Sequence, residues 1–307
     1  MMLALLCGGQ GRISAEMFDL AANEPEAAPV FAAAATLLGE DPRALVKQAP
    51  ADSLFANRTN QILSVCAALA NHACIRAALP SRLAVTGYSV GEMAAWSLAG
   101  IWSPQQTLQL TAARAEAMDA ADGGSGQLGY VRGLDRAAID GLAQGHGCAI
   151  AIICPGDLYM IGGAHDDVAA CCAAAARAGA QRAALLDVRI ASHTPRLAAA
   201  VPLFQAALGQ ADGARPRNGR VLLAGGDGSR IFSSDQATAR LAAQIAAPID
   251  WAASLEALVE LGIDQVLDLG PGHALADMMR AAHPHLRSYA ADGFRSGAGL
   301  RNWLASL

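Results

Sequence analysis

The chain has 307 residues, 53% hydrophobic and 16% charged, with a net charge of −5. This composition excludes a disordered or collagen-like chain, and with basic residues occurring only singly it excludes the electrostatic footprint of a nucleic-acid binder. About 70 alanines against 14 aromatics favour helices packed closely on a sheet, and Lys47 is the only lysine beside 21 arginines, which all but excludes a G-K-[ST] phosphate loop or a Schiff-base lysine.

Apolar runs alternate with amphipathic stretches throughout, the pattern of an α/β layer architecture with mostly parallel strands. The N-terminus, Met1 to Cys7, has no basic segment and is cut off by Gly8-Gly9, so it reads as a buried first strand at Leu3 to Cys7 rather than a signal or an anchor. Directly after it, Cys7-Gly8-Gly9-Gln10-Gly11 could let backbone N–H groups converge on an anion, supplying half of an oxyanion hole; a plain turn is the alternative. No segment offers the run of about 18 apolar residues that a membrane span needs. Seven cysteines, an odd number without a C-x-x-C pair, read as reduced thiols of a cytoplasmic protein, and no histidine spacing suggests a metal.

The strongest local signal is Leu83 to Glu92, where a strand runs into Gly87-Tyr88-Ser89-Val90-Gly91 and then an apolar helix. A G-x-S-x-G in that context is a nucleophile elbow, with Ser89 as nucleophile and the Val90 N–H as an oxyanion donor. The competing reading is a capping box, in which the Ser89 hydroxyl and Glu92 only cap the helix. Ser103-Pro104 then starts a helix running to about Asp119. Arg114 lies on its apolar stripe, flanked at helical spacing by Leu110, Thr111, Ala117 and Met118; an inward guanidinium requires a carboxylate, from a substrate or from a structural partner such as Glu116 or Asp119.

The Gly-rich stretch 122–126 breaks that helix. From there to Asp187 the order strand, helix, strand, strand, helix, strand is that of a ferredoxin-like unit, placing a small inserted domain at 126–190 and a large catalytic domain at 1–125 and 191–307. Its strands include Ala149 to Cys154, Tyr159 to Ile161 and Ala184 to Ile190, and Cys171-Cys172 reads as a pair of small core residues. His193, in Ala191-Ser192-His193-Thr194-Pro195, sits at a strand-to-loop junction and is either the candidate base for Ser89 or a plain loop histidine. Strands at Val221 to Ala224 and Gln265 to Leu269 follow, the latter leading into Gly270-Pro271-Gly272-His273, whose histidine is the rival base or simply a helix start. His72, His146, His165, His283 and His285 read as bystanders.

Taken in order, Gly9-Gln10-Gly11, the G-x-S-x-G-E of Gly87 to Glu92, Arg114, Ser192-His193 and Gly270-Pro271-Gly272 resemble the malonyl-CoA:acyl carrier protein transacylase family, over the chain from its first strand to about residue 275. The resemblance implies an α/β-hydrolase-like core with an inserted ferredoxin-like domain, and an acyltransferase working by a ping-pong mechanism without a cofactor. In it Ser89 would be the nucleophile, His193 its base, Gln10 and Val90 the oxyanion donors, Arg114 the holder of the malonyl carboxylate, and Gln244 the residue whose backbone carbonyl orients the histidine. Malonyl-CoA would be the substrate and an acyl carrier protein the partner. Tyr88 and Val90 stand where the family usually has histidine and leucine, Gly8-Gly9 where it commonly has phenylalanine-proline, and Ile153 to Asp157 lacks the usual N-x-P-x-Q asparagine. The G-Y-S-V-G-E form is most similar to the malonyl transferase (epsilon) subunits of bacterial malonate decarboxylases, which charge that enzyme's own carrier. The alternatives are a transacylase of fatty acid or polyketide synthesis and, in another class, a serine thioesterase or hydrolase.

Overall fold

In a computed structural model, residues 2–11, 13–211 and 214–307 are described, with their side chains except that of Gln236; Met1, the first residue of the apolar N-terminus, lies outside them. The strands are β1 (Leu3–Cys7), β2 (Leu83–Gly87), β3 (Gly126–Arg132), β4 (Ala149–Cys154), β5 (Leu158–Ala164), β6 (Arg182–Leu185), β7 (Arg220–Leu223), β8 (Arg230–Ile231), β9 (Ile249–Asp250), β10 (Gln265–Asp268) and β11 (Arg287–Ala290). They form two sheets. The larger has the order β11-β10-β1-β2-β7-β8 and is parallel except at the β7–β8 edge. β1 and β2 are buried along their whole length, as strands covered on both faces must be, which is why they read as unbroken apolar runs.

The smaller sheet has the order β6-β3-β5-β4-β9. Its first four strands, antiparallel and threaded with the helices Arg136–Gly145 and His165–Arg177, have the ferredoxin-like arrangement that the sequence predicts. The alternation along β5 shows how the sheet divides its faces. Leu158 and Met160 join the main core, while Tyr159 and Ile161 pack with Val168, Cys171 and Cys172 under the sheet's own helices. A bulge at Ala151 in β4 keeps this alternation in step, so that Ile150 faces Ile161 and Ile152 faces Met160.

Two differences from the sequence reading bear on the site. The strand expected from Ala184 to Ile190 is regular only as β6, Arg182–Leu185. Beyond it the chain still bonds to Leu128, whose carbonyl accepts from the Leu186 N–H at 2.9 Å and whose N–H donates to the Val188 carbonyl at 3.0 Å, while the Gln127 side-chain amide donates to the Leu186 and Val188 carbonyls. The small sheet also gains a fifth strand from outside 126–190: β9 pairs parallel to β4, Ile249 beside Ile152 and Asp250 beside Ile153. Two residues are too few to read as a strand, yet they tie the segment just after Gln244 to the small sheet.

The helix started by Ser103 runs as Pro104–Asp122, with the Ser103 hydroxyl accepting from the Gln106 N–H at 3.2 Å, and stops at Gly123, whose φ is 66°. It packs against the long helix Asn57–Ile75. Among the described residues no helix is long and apolar enough to cross a membrane, and all seven cysteines are free and buried.

Candidate active site

The loops after β1, β2, β7 and β10 gather at the C-terminal edge of the parallel sheet, where open α/β folds place their ligands. The tightest of them is the elbow. β2 ends at Gly87, the helix Gly91–Leu98 begins four residues later, and Ser89 between them is held in the left-handed region with φ 55°. A Cβ on Gly91 would stand 2.1 Å from the Cys7 carbonyl oxygen, so only glycine lets the elbow close on β1. The strained serine is a feature that persists where the surroundings fix it, as functional sites do.

The Ser89 hydroxyl lies 2.7 Å from Nε2 of His193. This decides against the capping box: no side chain caps the helix, and Glu92 turns its carboxylate to Gly225, Trp96 and Gln244. His193 is itself at φ 62°, fully buried, with its backbone N–H donating to the Ile245 carbonyl at 2.7 Å. Its Nδ1 is 2.6 Å from the Gln244 carbonyl. A carbonyl only accepts, so Nδ1 carries the hydrogen and Nε2 offers its lone pair to the serine O–H. Burial, and then the charge of Arg114, push the imidazole down to about 3 from an ordinary value of 6.5.

That shift has a sign that can be checked. The unfolded chain takes up this proton before the folded one, so the stability His193 contributes is complete above pH 6.5 and is lost as pH falls towards 3. An NMR titration of the His193 ring should find it neutral from pH 8 to below 5; a midpoint near 6.5 would show the ring to be solvated and the burial argument wrong.

Arg114 is 1% exposed. Its Nη1 donates to Gln61 Oε1 at 2.6 Å and lies 3.2 Å from Met118 Sδ, while Nε and Nη2 have no partner among the described residues. Neither proposed structural carboxylate serves it: Glu116 pairs with Arg58 at 2.8 Å and Asp119 accepts from Asn57 at 2.8 Å. Burial lowers the guanidinium to about 10, which leaves it charged at neutral pH. The free Nε and Nη2 form the edge that receives a carboxylate through two parallel hydrogen bonds, and a buried cation lacking that partner is costly.

The Gln10 loop lies against the elbow, since a Cβ on Gly9 would meet the Tyr88 carbonyl oxygen at 2.8 Å and Ser89 Cβ at 3.4 Å. Val90, at the helix N-cap, has an N–H in the first turn, where no intrahelical acceptor exists. The Gln10 side chain donates to Asn57 Oδ1 at 3.1 Å, and the same oxygen accepts from Gln61 Nε2 at 2.7 Å, so one polar chain joins the loop to Arg114. Sequence reasoning missed Asn57 and Gln61, polar residues of a long helix that look solvated. Their i,i+4 spacing was the available signal.

Asp268 was missed too. Buried at the end of β10, it accepts from the N–H groups of Gly270, Leu275 and Ala276 and so braces the Gly270-Pro271-Gly272 loop; burial raises its carboxyl to about 7. His273 only precedes the helix Ala274–Ala282 and pairs with Asp277 on the surface. A cavity of about 300 Å³ opens between this loop, Gly8 to Gly11 and Tyr88. Among the described residues no group of three or more His, Cys, Asp or Glu could hold a metal ion.

Known proteins share this arrangement of the whole chain. No family model matches it. The sequence is 28% identical to the malonyl CoA-acyl carrier protein transacylase of Salmonella typhimurium, over 90% of this chain and 91% of that one. It is 26% identical to the enzyme of that name from Haemophilus influenzae, over 98% of each. A stretch covering 72% of the chain is 28% identical to the polyketide biosynthesis protein ThaF of Burkholderia thailandensis, but spans only 19% of that protein's length. Among solved structures, the malonyl-CoA:acyl carrier protein transacylase of Xanthomonas oryzae superposes with a TM-score of 0.90 at 24% identity, over 100% of this chain and 99% of that one. A malonyl-transacylase solved in complex with its type II polyketide acyl-carrier protein superposes with a TM-score of 0.89 at 26% identity, over 100% of each. This chain has the malonyl-CoA:acyl carrier protein transacylase fold.

Within the transacylase fold, the departures noted in the sequence fall into place structurally. Tyr88 packs edge-on against Trp251, ring centroids 5.3 Å apart, and its hydroxyl lies 3.8 Å from Cys154 Sγ in β4. The elbow of this transacylase-like chain is thereby fastened to the small sheet. Ile153, at the place of the missing asparagine, turns to the small sheet's own core.

Proposed function

We propose that this protein is an acyltransferase that moves a malonyl group from malonyl-CoA, through an ester on Ser89, to the phosphopantetheine-type thiol of an acyl carrier protein. The similarity to the named transacylases along both chains supports the class, and the observation that carries the substrate is the buried Arg114, with Nε and Nη2 unpartnered and its charge felt by the His193 ring that bonds Ser89.

In the first half-reaction the Ser89 oxygen bonds to the thioester carbonyl carbon while its proton passes to His193 Nε2, a contribution of about 10²–10⁴ in rate. The Gln10 and Val90 N–H groups hold the oxyanion, each worth about 3 kcal/mol. The intermediate collapses with loss of the CoA sulfur, which takes the proton from His193. In the second half the carrier thiol gives its proton to His193 and attacks the ester, and Ser89 leaves with that proton. Gln244 supplies only its backbone carbonyl, sufficient to hold the imidazole tautomer. Residues 126–190 act as an inserted domain joined to the catalytic one through β9. The seven free cysteines support a cytoplasmic setting.

The carrier is the finer part of the proposal. The names of the relatives support a carrier of fatty acid or polyketide synthesis better, whereas only the resemblance of the G-Y-S-V-G-E elbow to malonate decarboxylase's transferase subunit speaks for that enzyme's carrier. Offering the malonyl-loaded protein both carriers separates these readings by which thiol is charged faster. If malonyl-CoA is hydrolysed as fast with carrier as without, the protein is a thioesterase and transfer is wrong.

A further inference from the structure

Glu92 is the acidic residue of the elbow motif, and the mechanism leaves it unused. It is 2% exposed. Oε2 accepts from the Gly225 N–H at 2.8 Å and from the Gln244 side-chain amide at 2.6 Å, and Oε1 accepts from Trp96 Nε1 at 3.3 Å. Gln244 is therefore held at both ends, its side chain by Glu92 and its backbone carbonyl by His193 Nδ1.

The Gln244 backbone is tied by the helix end, its N–H donating to the Arg240 carbonyl at 3.0 Å, but its side chain has the carboxylate as its bonded partner. Gln244 is the C-terminal cap of the helix Ser234–Ala243, still in helical conformation with φ −54° and ψ −27°, ahead of β9. On its other side Glu92 and Gln244 line a cavity of about 260 Å³, with Ala224, Ile231, Leu241 and Pro248 among its walls. With the helix end fixing the Gln244 backbone, the side chain beside that cavity is held by its hydrogen bond to the carboxylate. A buried carboxylate is an expensive way to satisfy one loop N–H and one indole, and its raised carboxyl, pushed to about 7 by burial, reflects that cost.

We propose that Glu92 is a positioning residue for His193. Three residues after the nucleophile, it clamps the Gln244 side chain so that the Gln244 carbonyl meets the imidazole N–H. It does through one intervening residue what a directly bonded aspartate does in a Ser–His–Asp triad. This rests on Ser89 and His193 being nucleophile and base.

The test is the rate at which a fluorophosphonate labels Ser89, which needs an activated serine but no malonyl group and no carrier. If the wild-type protein is not labelled at Ser89, the nucleophile reading itself fails. Given labelling, Glu92→Ala and Gln244→Ala should each slow it by about 10–100-fold, the range for residues that orient a reacting group. Combining them should cost no more than the worse of the two. Glu92→Gln, whose amide oxygen can still accept from the two donors that Oε2 serves but whose NH2 faces the Trp96 N–H, should fall between wild type and Glu92→Ala. The KM for malonyl-CoA should stay within about threefold while kcat falls. Labelling of Gln244→Ala at the wild-type rate, or losses that multiply in the double variant, would overturn the proposal. If Glu92→Ala does not fold, Gln244→Ala, which retains the backbone carbonyl, decides alone.

Discussion

Arg114→Ala is expected to lower kcat/KM for malonyl-CoA by about 10–10²-fold while leaving acetyl-CoA unaffected or improved. The first part follows from losing a charge-assisted pair worth about 1.5–3 kcal/mol, at about tenfold per 1.4 kcal/mol. The second follows because an acetyl group offers the unpartnered Nε and Nη2 no acceptor, so removing the guanidinium takes no bond from the acetyl-transfer transition state. The variant should melt no lower than wild type, because an uncompensated buried charge is lost along with the side chain's contacts. Arg114→Lys should recover only part of the malonyl preference, since a single ammonium cannot present the two parallel donors. Side-by-side kinetics on the two thioesters decide the matter; equal losses on both would show that Arg114 shapes the site without reading the carboxylate.

The second large effect is at His193. Its replacement by alanine should slow acylation by about 10²–10⁴-fold, measured as a single-turnover burst of CoA, with little change in KM. The ring is buried at 2.7 Å from the serine and 2.6 Å from the Gln244 carbonyl, so no water-borne base replaces it without rearrangement. Both half-reactions use this proton carrier. Malonyl-Ser89 that does form in the variant should therefore be discharged slowly to a thiol as well. A variant that acylates at the wild-type rate would place the base elsewhere.

How much of this was legible beforehand follows from how far apart the interacting residues lie in the chain. The elbow was readable because strand, glycines, serine and helix are contiguous, and a sharp turn needs those residue types in that order. Arg114 showed itself through helical periodicity alone, because a charge on an apolar stripe is a local contradiction. His193 was visible as a junction histidine, but its partnership with Ser89 spans 104 residues and was supplied by resemblance. Glu92 has a local role in the sequence only in the competing capping box, because its nearest polar neighbour there is Ser89. Its true partners, Gly225 and Gln244, lie 133 and 152 residues on. Asn57 and Gln61 face inward only because the helix Pro104–Asp122 packs over them, which no local pattern announces. The ferredoxin-like unit was legible from element order, whereas β9, two residues long, became visible only through its pairing with β4.

The most direct test of the account is intact-mass analysis and peptide mapping after a short incubation with malonyl-CoA. The wild-type protein is expected to carry one malonyl group on the peptide containing Ser89, removed on adding a carrier-type thiol, and Ser89→Ala should carry none. A malonyl adduct that persists in Ser89→Ala, or maps to another residue, would contradict it.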